Sequence, residues 1–252
     1  MIEIFTLSLV QGITEFIPVS SSSHLFLLAS YIDYENQSLS VDVSLHIGSF
    51  IAVVTYFNKV LINFIRNKDL FLKILLSSIP VMLIGFFLVK TDLIEKIRNI
   101  EVIAWTTFLF GVLLYYSDRF KLTNNIKNNF NLKSVYFIGL FQVLSLIPGV
   151  SRSGITITAA RFLNYKRFDA AKISFLLSIP TLGAVSIFGL YEIAHMENVK
   201  ISLTNIYSIL FSFIFSYFTI KYFLEFIKKF SLKVFAFYRI ILGLLLLLIV
   251  YL

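Results

Sequence analysis

The sequence predicts an all-α integral membrane protein, an inverted repeat of six transmembrane helices plus two re-entrant helical hairpins. Composition, the lengths of the apolar runs and a pair of similar polar breaks predict it. Of 252 residues, 58% are hydrophobic and only 14% charged, with 28 Phe, whereas ordinary soluble domains carry about 25% charged residues. No segment is polar enough to fold as a soluble domain. The chain therefore reads as a single polytopic membrane domain, with halves at about residues 1–117 and 132–252. The first apolar run is preceded by Glu3 rather than a basic stretch and followed by no Ala-x-Ala site, so a cleaved signal peptide is not expected. The chain has no Cys, which excludes disulfides and thiolate metal sites.

A helix needs about 20 residues to cross a bilayer. Six runs meet or approach that length: Val41–Phe57, Leu70–Val89, Val102–Tyr116, Phe168–Leu190, Ile206–Tyr222 and Val234–Leu252. Four shorter pieces remain, Ile2–Ile17, Ser21–Tyr31, Leu132–Ile147 and Ser153–Leu163. They form two pairs, each joined by a proline and serines. Proline lacks a backbone donor and disfavours helix in the residue before it, so Pro18 and Pro148 end helices. Half-length helices meeting at a break within the membrane form a re-entrant hairpin, tolerated where protein or a water-filled cavity covers it.

Charge sets the orientation. Lys59–Lys73, Arg119–Lys133, Arg161–Lys172 and Lys221–Arg239 hold 17 of the 22 Lys and Arg residues. Tyr31–Asp42 carries Asp33, Glu35 and Asp42 with no base, and Tyr191–Lys200 carries Glu192, Glu197 and one Lys. The positive-inside rule places the four basic segments in the cytoplasm. Six crossings then alternate without conflict, with both termini outside, the first hairpin entering from outside and the second from the cytoplasm. The net charge of +8 is thus topological, and nucleic acid is not expected as a partner. A second echo, Leu75-Leu-Ser-Ser-Ile-Pro80 against Leu176-Leu-Ser-Ile-Pro180, supports two halves of opposite orientation.

The breaks carry the chemistry. The first reads Gln11-Gly-Ile-Thr-Glu15-Phe-Ile-Pro18-Val-Ser20-Ser21-Ser22-Ser23-His24, the second Gln142-Val-Leu-Ser145-Leu-Ile-Pro148-Gly149-Val-Ser151-Arg152-Ser153-Gly154. A carboxylate and a guanidinium at membrane depth cost roughly 2.5–3.5 kcal/mol each and are rarely retained without a task. Gln11 and Glu15, four apart, share a helix face and can hold a divalent cation with waters or supply a general base. The bland alternative makes Glu15 a buried ion-pair partner of Arg152. Ser20, Ser21 and Ser22 open the next half-helix, where free amides and hydroxyls suit an anion. A serine there, beside His24 and Glu15, is either a nucleophile toward phosphorus or a phosphate ligand. Arg152, flanked by Ser151 and Ser153, offers a fork matching phosphate oxygens, and Gly149 lets backbone approach a ligand closely. Asp42 and His46, again four apart, face one way and complete the site from the side. His195 reads as a solvated residue of an exterior loop.

These motifs resemble the undecaprenyl-diphosphate phosphatase family, the bacitracin-resistance membrane proteins. The first family motif is similar to Gln11–His24, the second to Pro148–Gly154, and the segments Asp42-Val-Ser-Leu-His46-Ile-Gly48 and Arg167–Pro180 also resemble the family. The resemblance spans nearly the whole chain. It implies removal of the terminal phosphate from a C55 polyprenyl diphosphate in the bacterial plasma membrane, recycling a lipid carrier for cell-wall polymers. It also implies a divalent cation, Mg²⁺ or Ca²⁺, with Glu15 and Gln11 as its ligands. By position, Ser21 is the candidate nucleophile, Arg152 the phosphate binder and His24 an acid/base or phosphate ligand. Two departures stand out: Gln11 where many members have Glu, and Ser23 where Gly is usual. The rival class is a polyprenyl-phosphate transporter, since inverted repeats with broken helices also build transport sites. Oligomeric state, a homodimer included, is left open by the sequence.

Overall fold

The computed structural model describes residues 1–31, 38–64, 68–91, 93–195 and 202–252. Their helices run α1 Ile2–Thr14, α2 Ser21–Tyr31, α3 Leu39–Tyr56, α4 Asn58–Phe64, α5 Lys68–Lys90, α6 Leu93–Ile97, α7 Ile100–Ser117, α8 Ile126–Asn129, α9 Leu132–Val143, α10 Arg152–Phe162, α11 Arg167–His195, α12 Leu203–Lys229 and α13 Lys233–Tyr251. Six of them, α3, α5, α7, α11, α12 and α13, are long and apolar enough to cross a membrane. They match the six predicted runs in order. The observed helices extend past the apolar runs into charged ends, most of all in α11 and α12, because the apolar stretch marks what lipid covers rather than where helical hydrogen bonding stops. The basic connection between α7 and α9 adds the short α8, which the apolar pattern does not signal. Asp33, Glu35 and Glu197 lie outside the described residues.

Both breaks stop their helices ahead of the proline. α1 ends at Thr14 and α9 at Val143, the latter tightening into a 3₁₀ turn over Leu144–Leu146 before Pro148. After each proline the chain turns through a serine in the left-handed region, Ser20 at φ 78° and Ser151 at φ 70°. Non-glycine residues rarely adopt this conformation. Each of these serines immediately precedes a helix, so Ser21 begins α2 and Arg152 begins α10 at the same place in the two turns. Pro80 and Pro180, by contrast, lie inside continuous helices.

Small residues set the packing. α1 lies on α12 with Gly12 against Phe215 and Ser216, while α9 lies on α5 with Gly139 against Ser77. A methyl on either glycine would sit within 2.5–2.7 Å of its neighbour, so close approach requires their bare backbones. Ser77 Oγ also donates to the Val135 carbonyl at 3.0 Å. α3 and α12 share buried hydroxyls: Ser212 donates to the Leu45 carbonyl (2.6 Å), and Ser49 meets both Ser212 and Ser216. Such interhelical polar contacts with small residues replace the hydrophobic driving force that lipid removes.

Three of the basic segments converge at one end of the bundle around Asp118. Arg167 donates to Asp118 through Nε (2.7 Å) and Nη2 (3.1 Å), and the Leu232 amide donates to the same carboxylate at 3.2 Å. The buried Arg161 guanidinium donates to the carbonyls of Lys121, Phe120 and Tyr165. The ends of α7 and α10 and the starts of α11 and α13 are thereby tied together. Two residues depart from expectation. His195 is exposed but closes α11 as its last residue, its Nδ1 donating to the Tyr191 carbonyl at 2.8 Å, rather than standing in a loop. Arg239, counted among the cytoplasmic basic residues, is fully buried within α13.

Candidate active site

The two breaks meet. Glu15, at the end of α1, is nearly buried and receives three donors: Gln11 Nε2 on Oε2 (3.2 Å), Ser21 Oγ on Oε2 (2.7 Å) and Arg152 Nη2 on Oε1 (2.7 Å). The residues that begin α2 and α10 therefore grip the same carboxylate, one on each oxygen. Arg152 Nη1 also donates to the Ser174 carbonyl of α11 (3.3 Å), which fixes the plane of the guanidinium. Ser153 Oγ donates to the Ile17 carbonyl at 3.0 Å, stitching the second turn to the first. The ion pair considered as the bland alternative thus exists, and it shares its carboxylate with a hydroxyl placed as a base would hold a nucleophile.

The other expected residues divide into those that reach this cluster and those that build its walls. His46 makes no hydrogen bond to Glu15 among the described residues; its Nδ1 donates to the Asp42 carbonyl (2.8 Å). Asp42 Oδ1 is buried and meets no hydrogen-bond donor among the described residues. His24 does not touch Ser21 or Glu15 by any hydrogen bond among the described residues. Its Nδ1 donates to the Ser20 carbonyl (2.6 Å) and its Nε2 accepts from the Tyr238 hydroxyl (2.6 Å). Ser20 Oγ bonds to Ser23 Oγ (2.9 Å) and Ser22 Oγ (3.4 Å), and Ser22 is exposed. The serine at 23, where glycine was expected, thus braces the turn. Ser151 Oγ caps α10 by accepting from the Gly154 amide (3.1 Å). Gly149 has a reason other than ligand approach: at φ 90° its missing side chain leaves room for Thr106 and Ile103 of α7.

A divalent cation can be tested against these donors. Among the described residues no three His, Asp or Glu side chains gather as a metal cluster. Gln11 Oε1, however, is buried beside Glu15 with no hydrogen-bond partner among the described residues. One carboxylate and one orphaned amide oxygen suit a cation whose remaining ligands are water and substrate phosphate.

A family model described as bacitracin resistance protein BacA matches residues 4–245. The chain belongs to the BacA family. Among its relatives, an undecaprenyl-diphosphatase of Pelagibacter ubique (strain HTCC1062) is 46% identical over 252 residues, covering 100% of this chain and 98% of the relative. Undecaprenyl-diphosphatases of Jannaschia sp. (strain CCS1), 38% identical with 98% of each chain covered, and of Saccharophagus degradans, 39% identical with 94% and 93% covered, are likewise similar along their lengths.

In this BacA-family chain, sequence reasoning missed several residues around the site. Ser174 positions Arg152 and bonds to Thr156 (2.7 Å), and Thr106 donates to the Pro148 carbonyl (2.6 Å). Tyr238 and Arg239 lie against the two breaks from α13. Arg239 had a signal, since it is the one charged side chain after Lys233. Its place near a cluster of lysines made it look topological.

Proposed function

We propose that this multi-pass membrane enzyme hydrolyses undecaprenyl diphosphate to undecaprenyl phosphate and inorganic phosphate. The observation that carries the reading is the Glu15 carboxylate, held between a hydroxyl and a guanidinium where two helix N-termini meet. In the mechanism the proposal favours, Ser21 Oγ attacks the terminal phosphorus and its proton passes to Glu15. The bond from that phosphorus to the bridging oxygen breaks, releasing the lipid monophosphate and leaving a phosphoseryl residue. Water then attacks that phosphorus, freeing inorganic phosphate and restoring the serine hydroxyl. Arg152 and the amides opening α2 and α10 neutralise charge developing on the phosphoryl oxygens, the kind of electrostatic stabilisation that dominates phosphoryl transfer. Glu15 and Gln11 Oε1 would hold a Mg²⁺ or Ca²⁺ ion, which would supply further charge neutralisation. A lipid-phosphate carrier would need the guanidinium but has no use for a hydroxyl hydrogen-bonded to a carboxylate. The site draws on one chain only, so a homodimer would carry two copies.

Phosphate release by purified protein in detergent tests the reading. Activity lost on chelation and restored by Mg²⁺ or Ca²⁺ supports the cation. Ser21→Ala is expected to cut release at least 10³-fold, as loss of a nucleophile does. A variant retaining a tenth of the rate would transfer attack to water.

The proposal places the protein in the bacterial plasma membrane as an inverted repeat, with its two broken pairs re-entrant and the site open to the exterior. The matching left-handed serines and the α1–α12 and α9–α5 packing, each with a glycine facing a span serine, support two equivalent halves. In this Cys-free chain, Ser38→Cys should label with an impermeant thiol reagent from outside and Lys127→Cys from the cytoplasm. Labelling of both from one side would overturn the alternation.

A further inference from the structure

We infer that Arg239 is a second phosphate-binding residue, holding the phosphoryl group that stays on the lipid while the terminal one reacts at Ser21. The inference rests on the hydrolase reading and extends it. Arg239 is fully buried in α13. Nη2 donates to the Gly149 carbonyl at 2.9 Å, but Nε and Nη1 meet no acceptor among the described residues. Buried cations are expected to be paired and their donors satisfied. Clamping Gly149 does not account for the charge, because the adjacent Pro148 carbonyl is held by the neutral hydroxyl of Thr106.

The free donors lie where an anion would. Nη1 sits 2.6 Å from the point that a methyl on Gly154 would occupy, at the opening of α10, two residues from Arg152. On the other side, His24, at the opening of α2, bonds to Tyr238, the neighbour of Arg239. One short stretch of α13 thus braces both helix N-termini, each already suited to negative charge. A diphosphate presents two anionic groups. Arg152 and Ser21 serve the one that is attacked, which leaves the retained group needing a cation of its own. A guanidinium with two unused donors matches two phosphoryl oxygens.

The test uses the full-length protein in detergent and three ligands: polyprenyl diphosphate as substrate, and polyprenyl monophosphate and inorganic phosphate as inhibitors. Arg239→Gln keeps an N–H for the Gly149 carbonyl and removes the charge. It is expected to raise KM and the monophosphate inhibition constant together, about 10–100-fold, the usual weight of a hydrogen bond to a charged group, leaving inhibition by inorganic phosphate unchanged. Arg239→Lys should recover part of both. A fall in kcat with monophosphate inhibition unchanged would reduce Arg239 to a backbone clamp and overturn the proposal. Should Arg239→Gln fail to fold, Gly154→Ala decides, since its methyl displaces Nη1 without removing charge: weakened monophosphate inhibition supports the subsite, and unchanged inhibition rejects it. Calorimetric binding of the monophosphate keeps the two readings apart. If wild-type protein released no phosphate, the hydrolase reading would fall, while loss of monophosphate binding in Arg239→Gln would still establish the subsite.

Discussion

Glu15→Gln is expected to lower phosphate release by at least 10²-fold, the lower end of what general acid–base catalysis contributes, while the protein still folds. The amide keeps the shape of the side chain and one acceptor oxygen, so either Arg152 or Ser21 retains its bond. It cannot take a proton from Ser21 at neutral pH. Its NH₂ group also faces a donor where Oε1 or Oε2 now accepts. Removing one partner of a buried ion pair costs about 3–5 kcal/mol, and the isosteric amide softens that loss, so a lowered melting temperature rather than misfolding should accompany it. Parallel phosphate-release and thermal-melting measurements check this. A near-normal rate would make Glu15 a structural residue. The same geometry predicts the fate of Gln11→Glu. Gln11 Nε2 now donates to Glu15, so a carboxylate there would oppose another carboxylate unless a proton or cation stood between them. Gln11→Glu should therefore bind the cation more tightly and reach full turnover at a lower Mg²⁺ or Ca²⁺ concentration than the wild type.

Arg152→Ala should lose on the order of 10²–10³-fold or more, the scale seen when one oxyanion donor is removed. Arg152→Lys should fold and recover little, because lysine provides one compact charge in place of a planar fork. In the native site that fork reaches Glu15 through Nη2 and the Ser174 carbonyl through Nη1, a geometry no ammonium reproduces. The structural alternative makes a different prediction. If the arginine only neutralises Glu15, each alanine variant destabilises the protein, and the Glu15→Ala/Arg152→Ala double variant regains both stability and activity. Rates and melting temperatures of the four variants separate the cases, and a stable, active double variant would falsify the catalytic assignment.

Much of this was legible because lipid imposes length. A run such as Leu70–Val89 has to be about as long as the bilayer is thick, and α5 follows it to within two residues at its start. The meeting of Glu15 with Arg152 was foreseeable on energetic grounds, since each is too costly at depth to be left alone. What escaped were contacts with no local signature. Asp118 sits beside a basic segment and gives no hint that it gathers Arg167 and Leu232, 49 and 114 residues away. His24 adjoins the serine run, yet the structure turns it toward Tyr238 rather than Ser21. Arg239 was visible as a lone charge, but a count that assigns sidedness treats every arginine alike.

The bond between Glu15 and Arg152 spans 137 residues of chain, and on the mechanism proposed above its reach makes this a split enzyme. The hydroxyl and its base belong to one segment, the cation to another that is synthesised much later. On that mechanism, while only the first segment has been inserted the serine would have its base but no guanidinium, and a growing chain would carry no competence to cleave the lipid anhydrides around it. Competence arrives only when the second turn docks. Catalytic onset would then be a readout of completed membrane folding, and a defect that keeps the segments apart would silence the enzyme without altering any reacting group.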